Sequence, residues 1–247
     1  MQDAVASFAI RLICGIGLAL CAMPRKDVAA AFFRIMLLAI LGLGVLFTLT
    51  APGAAFWRGA VLSAVAFLGS VGWLLERRLS GTAAIKVIFL LALAEVVLFG
   101  GGSFAAAPSG RHWLAAVSAL ASAATLGTAL TGMLLGHRYL TAPGMPLAPL
   151  IWLNAGLGLA TIFRFLVSAI ALATGGGALA QSFDWILLAL RWLAGILGPM
   201  AVCVMVQRIL RYRNTQAATG VLFVAVILTF IGELTGDLLY RTLGVPF

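Results

Sequence analysis

The sequence predicts an all-α, polytopic integral membrane bundle of about eight transmembrane helices, with both N- and C-termini non-cytoplasmic. Three observations predict it. Of the 247 residues, 63% are hydrophobic and only 9% are charged, against about 25% charged in an ordinary soluble domain. The apolar residues gather into eight runs, each near the roughly 20 residues that cross a hydrocarbon core. The cations are shared unequally between the two sets of connections, as in helices oriented by their basic loops. A water-soluble fold of this length would expose large apolar patches. Lipid as the solvent removes that difficulty.

The runs lie at 4–23, 28–50, 56–75, 84–101, 113–136, 147–174, 183–206 and 217–239. The first is preceded by Asp3 and no cation, and followed by Pro24-Arg25-Lys26-Asp27. That is the reverse of a cleavable signal, so it reads as a first span entering from outside. Ala51-Pro52-Gly53 closes the second run and Glu76-Arg77-Arg78 the third. The fourth meets Gly100-Gly101-Gly102 and then Pro108. His137 to Pro146 joins the fifth and sixth, Gly175-Gly176-Gly177 ends the sixth, and Arg208 to Thr215 precedes the eighth. The spans use nearly all of residues 1–247, so the chain reads as a single transmembrane helical domain. A weak four-plus-four repeat (1–111 and 112–247) is suggested by a shared pattern. Glu76-Arg77-Arg78, Thr82-Ala83-Ala84 and Glu95 match Arg208 to Arg213, Gln216-Ala217-Ala218 and Glu233. Chance similarity between two apolar hairpins explains it equally well.

Orientation follows from counting cations by side. The connections after spans 1, 3, 5 and 7 carry Arg25, Lys26, Arg77, Arg78, Lys86, Arg138, Arg208, Arg211 and Arg213; the other side carries Arg58, Arg111 and Arg241. The richer side is expected to face the cytoplasm, which places the chain in the cell inner (cytoplasmic) membrane. The formal charge of +9 is therefore an orientation signal whose natural partner is the lipid bilayer, with anionic lipids at the basic loops. Its residues are scattered at helix ends rather than gathered on one solvated face, which argues against nucleic acid.

Several charged residues fall inside the spans. At 1.5 Å per residue, Arg11 on span 1 sits roughly 10 Å below the outer surface, and Arg191 on span 7 at a similar depth. Glu95, Arg164 and Glu233, on spans rising from the cytoplasm, reach the middle or outer half, with Asp237 one turn above Glu233. Arg34 falls near the cytoplasmic third. A charge at the bilayer centre costs at least about 2.5–3.5 kcal/mol on insertion scales. Arg11, Glu95, Arg164, Arg191, Glu233 and Asp237 are thus expected to face the bundle interior and pair. They form either structural ion pairs or a site for a ligand, an ion or a proton. Asp237 and Arg241, spaced i, i+4, can also pair at the interface; Asp184 and Arg58 are expected at the headgroups.

Two further features invite a functional reading. Segment 136–146, with Pro143, Pro146 and then Pro149, reads as a cytoplasmic interfacial loop holding His137, Arg138 and Tyr139, with His137 and Tyr139 as proton-exchanging groups, or as a plain connector with an aromatic anchor. Gly15, Gly17, Gly42, Gly44, Gly127 and Gly132, with Thr125 and Thr128, mark close helix packing. His112 and His137 are 25 residues, or roughly 37 Å, apart on one helix and no other histidine exists, so paired histidine ligation of a haem within the chain is excluded. Cys14, Cys21 and Cys203 form no CxxC pair and suggest neither a disulfide framework nor a metal site. There is no phosphate loop, zinc-protease or nucleophile-elbow motif.

The reading that fits is a membrane subunit of a larger redox or respiratory-type complex, contacting quinone or a proton path, with no cofactor or metal of its own and with partner membrane or peripheral subunits. The eight-helix plan with termini outside is similar, in topology alone, to the haem-free anchor subunits of molybdopterin oxidoreductases. The alternative is a small secondary transporter or channel built around the intramembrane Arg/Glu cluster.

Overall fold

The computed structural model describes residues 2–51, 53–98, 112–142, 144–175 and 182–246. The Gly100-Gly101-Gly102 break, Pro52, Pro108, Arg111, Pro143 and Gly176-Gly177, with the side chains of Asp3 and His112, lie outside the described residues. What is described is helical, with no strand. The helices are α1 (Gln2–Ala22), α2 (Ala30–Thr50), α3 (Ala55–Leu74), α4 (Arg78–Leu98), α5 (His112–Thr141), α6 (Ala148–Gly175), α7 (Ser182–Arg211) and α8 (Thr215–Leu243). Each is long and apolar enough to cross a membrane, consistent with a multi-pass membrane protein. An apolar solvent demands such helices, because they satisfy every internal backbone donor and acceptor within the segment.

The helices run further into polar sequence than the hydropathy runs suggest. α4 begins at Arg78 rather than at 84, because Glu76 takes a left-handed conformation (φ 57°) that turns the chain within three residues. Lys86 therefore stands exposed on α4, not in a connection. α5 continues to Thr141, so His137, Arg138 and Tyr139 do not form a loop as the sequence suggested. They occupy the last turns of α5, since Gly136 does not end the helix but lies against Thr219 of α8. Tyr139 is buried, and its hydroxyl donates to the Pro146 carbonyl, tying down the short connector. Pro149 sits in the first turn of α6, where a missing N–H leaves nothing unsatisfied. α8 opens with the Asn214 carboxamide accepting from Ala217 N–H (3.0 Å) and closes on Gly244 in the left-handed conformation (φ 67°).

α5 forms the axis of the bundle, packing against α1, α6 and α8, while α2 and α4 pack on α1 and α3 packs on α2 and α4. Arg11 reaches Ser122 and Gly15 meets Gly127, so α1 and α5 run in the same sense; Ser122 meets Glu233 and Gly136 meets Thr219, so α8 runs opposite. The start of α1 and the end of α8 therefore share one end of the bundle, here the terminal end. Arg77, Arg78, Arg208 and Arg211 lie at the other, the basic end.

The burial pattern inverts that of a protein in water. Arg191 is 0% and Glu233 1% exposed, while Leu79 is 90% and Leu159 70% exposed. The tightest crossing joins Gly15 and Gly127, where a Cβ on either would overlap the other helix's backbone; only hydrogen at both positions lets the axes come this close. Gly42, by contrast, faces open space. Gly127→Ala should therefore lower thermal stability in detergent by about 1–3 kcal/mol, as for an overpacked core. Gly42→Ala should be neutral, or gain up to about 1 kcal/mol from helix propensity. A differential thermal melt of the two variants checks this; equal melting would contradict the crossing.

Candidate functional site

Glu233 lies in the sequence Gly232-Glu233-Leu234-Thr235-Gly236 of α8. The two glycines, four residues apart, make one flank of the helix smooth. A Cβ at Gly232 would overlap the Gly195 backbone of α7, and one at Gly236 would press on the Arg191 guanidinium 3.1–3.4 Å away. α7 can thus lie close on α8 and lay Arg191 across it. At this crossing α7 loosens into a π-helical turn, Leu193–Leu197, with Gly198 N–H bonded to the Leu193 carbonyl. Pro199 follows directly and is the source of the irregularity, because it has no N–H and its ring crowds the carbonyl four residues earlier.

Three arginines from three helices converge on Glu233. Arg191 Nη1 of α7 donates to Glu233 Oε1 (3.0 Å). Arg164 of α6 donates from Nη2 to Oε2 (3.4 Å), with its Nε also 3.4 Å from Oε1. Arg11 of α1 places Nη1 3.8 Å from Oε2, and Ser122 of α5 donates its hydroxyl to the same oxygen (2.5 Å). The arginines are held in turn by α5 and by α1 itself. Arg164 Nη1 donates to the Ser118 carbonyl (2.7 Å) and hydroxyl (2.6 Å), and Arg11 Nε to the Ser7 carbonyl (3.1 Å). Arg11 Nη2 reaches Asp237 Oδ1 (2.8 Å), whose other oxygen accepts from Arg241 (3.2 Å) at the rim. Removing one partner from such a buried set strands a charge, which costs about 3–5 kcal/mol.

Arg191 departs from full satisfaction. Its side chain is 0% exposed, yet Nε and Nη2 have no hydrogen-bond partner among the described residues. A buried unmet donor costs about 1–3 kcal/mol, so the network carries donor capacity that its own carboxylates do not use. Beside the network, a cavity of about 140 Å³ lies between α1 and α8, lined by apolar atoms of Ala4, Val5, Phe8, Arg11, Glu233, Leu234 and Asp237.

Of the six residues expected to converge, the structure brings together Arg11, Arg164, Arg191, Glu233 and Asp237. Glu95 is placed apart from them. It is clasped by Arg58 of the neighbouring α3, Nε to Oε2 at 2.6 Å and Nη2 to Oε1 at 2.9 Å, a two-pronged pair beside Trp57 and Phe47. Equal depth did not imply the same site, because the α3–α4 hairpin turns Glu95 to a different flank of α1. Arg58 is thus a partner rather than a free interfacial cation. Asp184, expected at the headgroups, is buried in the first turn of α7. Arg34 is exposed on α2. Sequence reasoning passed over Ser118 and Ser122, although their i, i+4 spacing within an apolar run was a usable signal. Among the described residues, no group of three histidine, cysteine or acidic side chains could hold a metal ion.

No family model, curated protein or solved structure matches the chain.

The division into two ion-paired sites predicts different energetic couplings. In a double-mutant cycle, Arg191→Met and Glu233→Gln should be strongly non-additive, with a coupling of about 1–3 kcal/mol. Glu95→Gln with Glu233→Gln should add within about 0.5 kcal/mol. Melting temperatures of the purified variants supply both numbers. Strong coupling between the two glutamates would mean that they share one network after all.

Proposed function

We propose that this chain is the membrane-embedded subunit of a larger redox or respiratory-type assembly, set in the cytoplasmic membrane with its basic end inward, and that it handles a quinone headgroup or a proton at Glu233. The observation that carries this reading is the apolar cavity set against the network between α1 and α8. It is lined in part by the stems of Arg11, Glu233 and Asp237 and lies beside Leu234, which is 60% exposed. A charged site beside apolar walls suits a molecule that arrives within the bilayer rather than from water. A quinone ring brings two carbonyl oxygens, the acceptors that a cluster rich in guanidinium donors lacks. Its reduction consumes protons, which a carboxylate can relay. The cavity accommodates a ring-sized group and leaves an isoprenoid tail in the lipid. Electrons would come from redox centres in partner subunits, since the chain offers no cofactor motif of its own.

A small secondary transporter or channel is the second reading, favoured by the π-turn at Leu193–Leu197. A helix irregularity touching an intramembrane charge is the kind of feature from which transporters build ion sites.

One experiment separates the two. The chain is extracted from its native membrane in a mild detergent, and its companions and extractable lipids are identified by mass spectrometry. The redox reading expects iron–sulfur, molybdenum or cytochrome subunits and a bound quinone. It also expects Glu233→Gln to slow quinone turnover by the assembly at least about 100-fold, the usual loss when a positioned proton donor is removed, while Glu95→Gln leaves it near normal. A partner-free protein that drives proton flux in liposomes, blocked by Glu233→Gln, would overturn it in favour of transport.

A further inference from the structure

At the basic end of the bundle, far along α7 from Arg191, α6 and α7 frame a second crevice of about 470 Å³. Its polar lining comes from Asn154, Gln207, Arg208 and Arg211, and its apolar lining includes Ile151 and Val204. The polar wall is biased toward donors. Asn154, 2% exposed on α6, gives one amide N–H to the Cys203 carbonyl (3.0 Å) and the other to Gln207 Oε1 (3.3 Å). That bond occupies the acceptor of Gln207 and leaves its NH₂ as the group it offers. Arg208 and Arg211, both exposed in the last turn of α7, add two guanidinium groups. Among the described residues, no carboxylate lines the crevice. Paired cations beside a neutral donor, with no acid to neutralise them, select an anion.

Two further observations narrow the anion. Asn154 Oδ1 is buried in the same wall with no hydrogen-bond partner among the described residues, an acceptor for a hydroxyl or for a water held beneath a bound headgroup. Ile151 (37% exposed) and Val204 (55% exposed) continue the crevice into the bilayer-facing apolar surface. The occupant must therefore join an anionic, hydroxylated head to an apolar chain.

We propose that this crevice is a binding site for an anionic glycerophospholipid of the leaflet at the basic end. The phosphate lies between Arg208 and Arg211 with the Gln207 amide as a third donor. A headgroup hydroxyl or its water meets Asn154, and an acyl chain runs along Ile151 and Val204. This site is independent of any reaction at Glu233 and requires only that the helices span a bilayer.

The test uses the full chain in phosphatidylcholine nanodiscs with and without phosphatidylglycerol, reading lipid adducts by native mass spectrometry and melting temperature in parallel. The wild type should retain phosphatidylglycerol and melt higher in its presence. Arg208→Gln with Arg211→Gln should weaken retention by about 10- to 30-fold, as expected for two interfacial cations. Gln207→Glu, which sets a carboxylate against the phosphate without changing size, should do the same while the protein still folds. The control pair Arg77→Gln with Arg78→Gln removes the same charge from the same end, at the exposed α3–α4 turn, and should leave retention unchanged. Equal losses in both double variants would overturn the site in favour of general attraction to the membrane surface. Equal protection by soluble glycerol 3-phosphate would overturn the lipid as occupant.

Discussion

One carboxylate, that of Glu233, faces guanidinium groups brought by α1, α6 and α7, and much of the bundle follows from keeping it there. In a solvent without water a charge has no neutral place to stand, so each helix that carries one must meet its complement. That requirement sets how closely the axes approach. Gly232 and Gly236 flank the carboxylate and admit α7, while Gly15 and Gly127 draw α1 onto α5 close enough for Arg11 to reach Ser122 and Asp237. Close packing and charge pairing are here one device, encoded within a few residues of each other.

The network also shows why buried polar groups can specify a single arrangement without being the strongest source of stability. Replacing a buried ion set by well-fitted apolar residues is often neutral or stabilising, whereas removing one member is costly. Glu233 therefore selects against any packing in which α1, α6 or α7 is rotated away from α8. The unpartnered nitrogens of Arg191 limit this account. A purely structural network would be expected to close on itself, and this one keeps donors in reserve at the α7–α8 crossing.

The fold was legible in the chain because length and apolarity are summed over some twenty residues, and no single substitution disguises them. Boundaries were less so. α4, α5 and α7 all carry on past the polar residues that seemed to mark their ends, because an interfacial helix tolerates Arg78, Arg138 or Arg208 on its outer turns as easily as a loop does. Depth could also be read, and it grouped Arg11, Arg164, Arg191, Glu233 and Asp237. Depth is only one coordinate, however. The angular position of Glu95 depends on how α3 and α4 fold around α1, and no feature of the sequence reports that. The π-turn was hidden for a related reason: Gly195, Gly198 and Pro199 announce trouble for a regular helix, but whether it resolves as a kink, a break or a widened turn is decided by α8.

The pairing of Arg11 with Asp237 spans 226 residues, and this separation has a consequence in time. Spans enter a membrane in the order in which they are made. At roughly 5–20 residues per second, α1 waits on the order of 10–45 s before α8 exists to receive its arginine. During that interval Arg11 has only the Ser7 carbonyl of its own helix and whatever the surrounding lipid, water and insertion machinery provide. Its position only about three turns from the start of α1 keeps its guanidinium within reach of the headgroups while it waits. The finished bundle thus carries a trace of its assembly: a charge made seven spans before its partner is placed near a helix end, where it can be left unpaired.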